Sequence, residues 1–186
     1  MEIEAWNKLH SGTKCKFLGM EPAQFYVDLY IWELFFSQFH IRSMVELGTG
    51  QGGMTTFFIL QSIQNRFYFD TFDINYPGYQ LEPVNRLINF DSYFHLGDIF
   101  DDQKETVIKL LKNRFRPVLL YCDDGIKAKE ADIFSPYLVA GDFLVLHDWN
   151  TEVSRRDIPH IIDPLEELLV EEREQMESLT VFFRKG

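Results

Sequence analysis

The stretch VELGTGQGG, residues 45–53, places four glycines directly after a short apolar run that carries Glu46. Glycine permits positive φ angles and lets another group approach the backbone closely. The segment that follows, GMTTFFILQSIQ, has the apolar spacing of a helix, and the N-terminus of a helix offers free N–H groups to an anion. The stretch therefore predicts a strand, a tight turn and a helix around a nucleotide-like cofactor.

Strand-like and helix-like segments alternate on both sides of this turn. The strand-like segments are continuous apolar runs, which is typical of a parallel sheet that is buried on both faces. In chain order they are SMVELG, RFYFDTFDI, SYFHLGD, PVLLYCDD, DFLVLHD and LTVFFRK. A last helix is predicted from Pro164 to about Met176. The alternation predicts an α/β fold with helices on both faces of the sheet.

Length and composition narrow the class of protein. At 186 residues the chain is expected to form one domain, and its formal net charge of -11 argues against non-specific binding to nucleic acids. Cys15 and Cys122 are its only cysteines, which favours a reduced, cytoplasmic compartment. We expect no secretion signal, and the most apolar stretch, Phe25 to Phe39, is too short and too charged to span a membrane.

The segment PAQFYVDLYIWELFFSQFH, which starts at Pro22, predicts a helix that is apolar on nearly every side. A helix of this kind is buried on more than one face. One interpretation is that the helix packs against the sheet as part of the core. The other interpretation is that it covers a ligand site or forms the contact of a homodimer.

The glycines alone do not choose between cofactors. Gly48, Gly50 and Gly53 fit the G-x-G-x-x-G fingerprint of dinucleotide-binding proteins, and Asp73 follows twenty residues later (73 − 53 = 20). Glu46 argues for a different cofactor, because a carboxylate here would repel a pyrophosphate but would suit the positive charge of S-adenosylmethionine. The alternative is that Glu46 only holds its own loop in place.

An acid lies at the end of four successive predicted strands, as Glu46, Asp73, Asp98 and Asp123. In open parallel sheets, ligands bind at the carboxyl ends of the strands. We expect Asp73 to accept the ribose hydroxyls, with Asp70 as its competitor in the same strand. Asp98 is expected to accept the exocyclic amine of adenine, and Asp123 to border the cofactor. The turn residues expected to hold the methionine part are Gly48, Thr49, Gly50 and Gly52.

The order of these motifs resembles that of the class I S-adenosylmethionine-dependent methyltransferases. VELGTGQGG is similar to their first motif, FDTFDIN to the second, HLGD to the adenine-loop motif, and LLYCDDG and FLVLHDW to their fourth and fifth strands. The resemblance covers roughly residues 22–150. Residues 6–36 together with the first motif also resemble the subgroup of cephalosporin hydroxylase-like and rhamnosyl O-methyltransferase-like proteins. The resemblance implies a Rossmann-like, mostly parallel sheet with an antiparallel C-terminal strand, for which LTVFFRK is the candidate; a second final strand is not recognised.

The same resemblance implies a metal site. In that subgroup, and in the similar catechol O-methyltransferases, a divalent metal lies between acids at the ends of the fourth and fifth strands. Here those acids would be Asp123 or Asp124 together with Asp148, with Asn150 as a further candidate, and Mg²⁺ would suit such oxygen ligands. His147 departs from the subgroup, which tends to carry an acid at this position.

Two residues are candidates for the group that removes the acceptor's proton. Lys127 lies three residues after Asp124, a spacing at which the catechol O-methyltransferases place a lysine with this role; the alternative is a surface lysine that opens a helix. His147 is the other candidate, because the ordinary pKa of histidine is near neutrality, but a lone histidine after an apolar strand is also often structural. Trp149 could form an aromatic wall for the acceptor or pack in the core. Asp148 completes the expected reaction centre.

The sequence as a whole predicts an S-adenosylmethionine-dependent methyltransferase that acts on the hydroxyl of a small molecule or sugar. The predicted regions of its single domain are an N-terminal helical cap (1–40), a cofactor-binding core (41–150) and a C-terminal helix and strand (151–186). One alternative is a non-catalytic module that binds S-adenosylmethionine. The other is an NAD(P)-dependent oxidoreductase, against which the chain offers no second domain for a substrate and no Tyr-x-x-x-Lys pair.

Overall fold

The computed structural model describes residue 9 and residues 16–77 and 88–186. The strands are β1 (Ser43–Leu47), β2 (Tyr68–Asp73), β3 (Phe94–Leu96), β4 (Val118–Cys122), β5 (Phe143–Leu146), β6 (Leu165–Leu168) and β7 (Val181–Lys185). The helices are α1 (Tyr26–Gln38), α2 (Gly53–Asn65), α3 (Lys104–Asn113), α4 (Lys127–Phe134), α5 (Pro159–Ile162) and α6 (Val170–Met176). Within these ranges, no helix combines the length and the apolar character that crossing a bilayer requires.

The seven strands found in the described residues belong to one sheet, in the order β3-β2-β1-β4-β5-β7-β6. Strands β1 to β5 are parallel, and β7 runs antiparallel to both of its neighbours. The chain starts in the middle of the sheet, builds outward through β2 and β3, and then returns to β4 on the other side of β1. This reversal creates a switch point between β1 and β4, where ligands bind in sheets of this type. The predicted Rossmann-like α/β fold is confirmed.

Alternate residues of the central strands contribute to two separate apolar cores. On one face of the sheet, Met44 and Leu119 pack with side chains of α1 and α2. On the other face, Val45 and Leu120 pack with side chains of α3 and α4. Every residue of β1 and β4 is buried, because both faces of these strands are covered. This double burial is the physical reason that the strands read as continuous apolar runs.

Helix α1 packs in the core, as one of the two interpretations of its sequence predicts. Trp32 has no exposed surface, and its ring lies 4.6 Å from that of Phe58, 5.1 Å from that of Tyr121 and 4.8 Å from that of Phe182. Tyr30, on the opposite side of the helix, is 49% exposed. Such clustered rings contribute both buried apolar area and favourable edge-to-face contacts.

The C-terminal region corrects one prediction. The sequence predicts a single helix from Pro164 to about Met176, but the structure has strand β6 first and helix α6 after it. Strand β6 pairs with β7, so two final strands are present rather than one. Half-buried and exposed residues alternate over its first three positions, a pattern too short to be separated from a helix by periodicity. The segment QLEPVNRLINF, residues 80–90, has a sequence that predicts a further helix, and it lies mainly outside the described residues.

Replacing Trp32 with alanine is expected to lower the free energy of unfolding by about 3–5 kcal/mol, because removal of the indole leaves a cavity among several rings. The matched control is Tyr30→Ala on the same helix, which should change stability by no more than about 0.5 kcal/mol because that ring is largely solvated. Urea unfolding followed by circular dichroism measures both values. Equal losses in the two variants would contradict the packing described for α1.

Candidate active site

Backbone hydrogen bonds continue the sheet past the last residues of its strands. The Gly48 N–H donates to the Phe72 carbonyl at 2.9 Å, and the Asp123 N–H donates to the Leu47 carbonyl at 2.8 Å. The residues that follow neighbouring strands are therefore held side by side, so that the acids predicted at strand ends meet along one edge. We call this edge the acidic rim and define it by Asp73, Asp98, Asp123 and Asp124.

The turn after β1 is built from glycines in the left-handed region of backbone conformation. Gly48, Gly50 and Gly52 have φ angles of 98°, 55° and 80°. At Gly48 a side chain is also excluded by lack of space, since a Cβ would lie 2.5 Å from the backbone oxygen of Asp123. The tight turn predicted from the sequence is therefore present, and it brings the backbone of β1 directly against the start of the loop after β4.

Gly53 is required for a different reason. It is the first residue of α2, and a Cβ there would lie 2.3 Å from the backbone oxygen of Glu21. The segment that precedes α1 therefore crosses the start of α2 in direct contact with it. Since chain packing explains this glycine, its match to the dinucleotide fingerprint does not by itself indicate a dinucleotide.

Glu46 is buried beneath the turn rather than exposed at its mouth. The residue is 1% exposed, and its Oε2 accepts hydrogen bonds from the hydroxyls of Thr55 at 2.7 Å and Thr71 at 2.6 Å. The Thr71 hydroxyl also lies 2.6 Å from that of Thr49, which is buried as well. Burial raises the pKa of Glu46 to about 8, although the two hydroxyls act in the opposite direction. These contacts fit the interpretation that Glu46 holds its own loop in place.

Asp73 lies at the acidic rim, whereas Asp70 does not. The Oδ2 of Asp73 accepts the N–H of Gly50 at 2.8 Å and its Oδ1 accepts the N–H of Asn75 at 2.9 Å. This carboxylate therefore connects the glycine turn to the loop after β2. Asp70 instead forms an ion pair with Arg114 at 2.6 Å. Of the two competitors, Asp73 is the one in position to contact a ligand beside the glycines.

Asp98 occupies an exposed loop directly after β3. The preceding residue, Gly97, donates its N–H to the Asp73 carbonyl at 2.9 Å, which sets the loop beside the end of β2. The Oδ1 of Asp98 accepts the N–H of Phe100 at 2.7 Å, and its own N–H donates to Asp102 at 2.6 Å. Asp98 is thus part of a local turn and also borders the rim with a solvent-accessible carboxylate.

Asp123 connects the rim to the segment that precedes α1. Its Oδ2 accepts hydrogen bonds from the hydroxyl of Tyr121 at 3.0 Å and from the side-chain amide of Gln24 at 3.1 Å. Gln24 also lies 2.5 Å from the Tyr121 hydroxyl. The sequence did not single out Gln24, because one glutamine before a helix forms no recognisable pattern.

Lys127 is buried among acids, so the alternative of a surface lysine is wrong. The residue is 4% exposed, and its Nζ lies 2.8 Å from Glu152, 3.0 Å from Asp148 and 3.6 Å from Asp123. Burial by itself lowers the pKa of Lys127, but these carboxylates outweigh that effect and hold the pKa above its usual range. The side chain is therefore an ammonium in this arrangement. Glu152, in the loop after β5, was not predicted as part of the site.

His147 is held between carboxylates at both ring nitrogens. Its Nδ1 lies 3.3 Å from Asp123 and 3.4 Å from Asp148, and its buried Nε2 lies 3.9 Å from Asp28. Nε2 has no hydrogen-bond partner within the part of the chain that the structure describes. Burial lowers the pKa of His147, but the three carboxylates raise it well above the usual range. The ring therefore carries a proton at neutral pH, contrary to the expectation from its ordinary pKa.

The turn that carries Asp148 has an uncommon backbone. Asp148 and Asn150 have φ angles of 54° and 66°, in a region that residues other than glycine seldom adopt. The turn presents the Asp148 carboxylate to Lys127 and His147, and the hydrogen bond with His147 is the main reason that its pKa is lowered. Asn150 is exposed and outside the cluster, and Trp149 packs in the core rather than lining a wall.

A cavity of about 80 Å³ lies beside His147. Its lining residues include Gln24, Asp28, His147 and Asp148. Asp28 belongs to α1 and is fully buried, and its Oδ1 accepts the hydroxyl of Ser178 at 2.6 Å. The sequence analysis did not assign Asp28 to the site; the available signal was one acid within the apolar run of α1. The cavity therefore brings a buried carboxylate and an unpartnered ring nitrogen to one place.

The acidic rim carries an excess of negative charge. Burial, followed by the carboxylates of Asp73, Asp98 and Asp123, raises the pKa of Asp124 to about 6, although Lys127 acts in the opposite direction. A carboxyl whose charged form is disfavoured by its neighbours indicates a negative local potential. Such an edge attracts a cation and repels a pyrophosphate.

A divalent metal does not fit between Asp123 and Asp148 as these residues are arranged. Ligand atoms of Asp123, His147 and Asp148 do lie within 4.8 Å of one another. However, the ammonium of Lys127 faces the same two carboxylates, and the Nδ1 of His147 contacts both of them as well. Mg²⁺ requires nearly octahedral oxygen ligands at about 2.0–2.1 Å, and the adjacent ammonium opposes its binding. The structure thus differs from the metal site that the resemblance implies.

Comparison with known proteins supports the fold. No protein-family model and no curated protein matches the sequence. Solved structures that are similar include the apo form of CmcI (14% identity, TM-score 0.69, 100% of this chain and 85% of that chain) and its Mg-SAM form (14% identity, TM-score 0.63, with the same coverage). Another is a putative caffeoyl-CoA O-methyltransferase from Staphylococcus aureus (14% identity, TM-score 0.51, 85% of this chain and 82% of that chain). The fold is therefore that of the class I S-adenosylmethionine-dependent methyltransferases.

Glu46→Gln is expected to make the protein less sensitive to rising pH. A carboxyl that binds its proton more tightly in the folded protein than in the unfolded chain costs stability as pH rises between its two pKa values, here from 4.5 to about 8. Glutamine keeps the acceptor for the two threonine hydroxyls and cannot ionise. Each unit of pKa shift that is removed corresponds to about 1.4 kcal/mol.

The measurement is urea unfolding of the wild type and of Glu46→Gln at pH 5 and pH 8. The variant should gain stability relative to the wild type at the higher pH. The matched control is Glu105→Gln, which changes an exposed glutamate of α3 and should follow the wild type at both values. A pH dependence that is identical in the wild type and Glu46→Gln would show that Glu46 is not the buried neutral acid described.

Proposed function

We propose that this chain is an S-adenosylmethionine-dependent methyltransferase that transfers the methyl group to a hydroxyl of a small molecule or sugar. The observation that carries the proposal is the acidic rim at the switch point of a methyltransferase-type sheet. S-Adenosylmethionine supplies an electrophilic methyl group on a sulfonium, and its net positive charge suits this edge. A dinucleotide would instead bring a pyrophosphate to the same edge.

In this proposal, each residue around the turn binds a different part of the cofactor. Asp73 would accept the ribose hydroxyls, since its carboxylate is fixed beside Gly50. Asp98 would accept the exocyclic amine of adenine from its exposed loop, and Asp123 would border the cofactor. The turn would hold the methionine part, with a carboxyl beneath it at Glu46 that an adjacent ammonium would help to ionise.

The cavity beside His147 would take the reacting end of the acceptor. The Nε2 of His147 and the Oδ2 of Asp28 lie 3.9 Å apart and border the same cavity, so a hydroxyl in the cavity beside this pair could accept one hydrogen bond and donate the other. An ammonium would be a poorer match, because it would meet the protonated ring. This pairing favours transfer to oxygen over transfer to a charged nitrogen.

The chemistry requires alignment and the removal of one proton. The acceptor oxygen forms the new bond to the methyl carbon while the carbon–sulfur bond breaks, and S-adenosylhomocysteine leaves. The hydroxyl proton must pass to a base. His147 is the candidate at the cavity, and it can act as the base only in its neutral form, after its own proton has passed to solvent, when Nε2 accepts the hydroxyl proton instead of donating to the oxygen. Lys127 is not the base in this proposal, because three carboxylates stabilise its protonated form. Metal assistance is not part of the proposal either, because Lys127 and His147 already face Asp123 and Asp148.

Asp73→Asn should weaken the binding of S-adenosylhomocysteine by about tenfold or more, because it removes a charged acceptor for the ribose while keeping the shape of the side chain. The measurement is the rise in melting temperature that the compound causes. The control is Asp101→Asn, an exposed residue of the loop after β3. An equal rise in melting temperature in the wild type and in Asp73→Asn would show that the ribose does not bind at Asp73.

His147→Gln should reduce methyl transfer by about 100-fold or more while the affinity for S-adenosylhomocysteine stays within about twofold. The assay follows a methyl label from S-adenosylmethionine to a panel of sugar and small-molecule hydroxyls. His160→Gln, which changes an exposed histidine on α5, is the control and should behave as the wild type. If the wild type binds the cofactor but methylates no member of a broad panel, the non-catalytic binding module becomes the better account.

A further inference from the structure

The cluster around Lys127 holds a cation at the place where the resemblance implies a metal. Lys127 is the first residue of α4, and its side chain is 3% exposed. Its Nζ is within hydrogen-bond distance of Asp148 and Glu152 and within ion-pair distance of Asp123. A lysine ammonium has three donors, and here each of them has an acid to face.

These acids come from three separate parts of the chain. Asp123 follows β4, Asp148 follows β5, and Glu152 lies four residues further along the same loop. The side chain of Lys127 therefore joins the ends of two neighbouring strands at the reaction centre. The first residue of a helix does not require acids from a neighbouring strand, so the contacts of Lys127 with the acids after β5 indicate a role beyond beginning α4.

Ion pairs with Lys127 occupy the carboxylates that a metal would need. The ammonium of Lys127 faces Asp123, Asp148 and Glu152, and the Nδ1 of His147 lies within 3.4 Å of the first two. A divalent ion between Asp123 and Asp148 would lie beside this buried ammonium and would have to displace it from the oxygens it contacts.

We propose that the ammonium of Lys127 takes the place of the divalent metal in this chain, excludes Mg²⁺ from the reaction centre, and positions Asp123 and Asp148 there. The catalytic meaning of this inference rests on the proposed methyl transfer, but the exclusion of a metal is a property of the cluster itself. Lys127 acts through the two carboxylates and is therefore a positioning residue.

The test measures metal binding directly and does not depend on activity. Mn²⁺ is the probe, because it binds oxygen ligands as Mg²⁺ does and its free form is observed by electron paramagnetic resonance. The wild type should leave the signal of free Mn²⁺ unchanged up to about 1 mM, the weak end of affinities for oxygen-ligand sites. Lys127→Met removes the charge with little change in volume and should bind one Mn²⁺ at least tenfold more tightly.

Two further variants control the experiment. Lys129→Met changes an exposed lysine of the same helix and should bind no Mn²⁺. Lys127→Met combined with Asp148→Asn should lose the site gained by the single variant. Circular dichroism and thermal melting show whether Lys127→Met is folded; if it is not, Lys127→Gln replaces it, and the wild-type measurement stands without either variant.

Two results would overturn the inference. One is a Mn²⁺ ion that the wild type binds below about 1 mM and that Asp148→Asn removes. The other is a folded Lys127→Met or Lys127→Gln protein that gains no Mn²⁺ site. Where methyl transfer is observed, its rate should also be the same in excess EDTA and in excess Mg²⁺, and a requirement for Mg²⁺ would equally overturn it. Failure to find any methyl transfer would count against the proposed function while leaving the Mn²⁺ result to decide the role of Lys127.

Discussion

Negative charge at the carboxyl edge of the sheet is the constraint on which the site depends. The edge gathers more carboxylates than its backbone can neutralise, and a buried charge without a partner is costly. Three of the carboxyl groups are stabilised in different ways. Glu46 has a pKa of about 8 and so binds its proton more tightly, Asp73 accepts two backbone N–H groups, and Asp123 faces Lys127. Asp124, with a pKa of about 6, is left without full compensation, and that remaining charge is what a cationic cofactor would meet.

The fold produces this edge through close approach of its backbone. Gly48 can lie against the loop after β4 only because it has no side chain, and the same bonds that extend the sheet align the residues after each strand. Helix α1, which packs on one face of the sheet, then adds polar groups to the site. Gln24 and Asp28 bring its N-terminal end to Asp123 and His147, so a helix that is mainly a core element also supplies polar groups to the cavity.

Much of the fold and of the acidic rim could be predicted from the sequence, because those features depend on short local patterns. Continuous apolar runs predicted the buried parallel strands, and the glycines predicted the turn. The acids after the strands could be placed on one edge from topology alone. The last strands were harder, since the LEEL segment of β6 is too short and too polar for its periodicity to exclude a helix.

The ion cluster around Lys127 and His147 could be predicted only in part, because its character depends on contacts between distant residues. The sequence gives no sign that Lys127 is buried or that Glu152 reaches it, and the two are twenty-five residues apart. The protonated state of His147 likewise follows from three carboxylates on different elements. Burial and charge balance are properties of the assembled structure, so spacing alone favoured a surface lysine and a neutral histidine as readily as the ion cluster that is present.

The most direct test of the central claim is a calorimetric titration of the wild-type protein with S-adenosylmethionine, S-adenosylhomocysteine and NADH. The account predicts that the first two bind with a stoichiometry of one and that NADH gives no binding heat, because the edge that accepts a cationic adenosyl compound disfavours a pyrophosphate. Binding of NADH in preference to both adenosyl compounds, or no binding of either adenosyl compound, would contradict it.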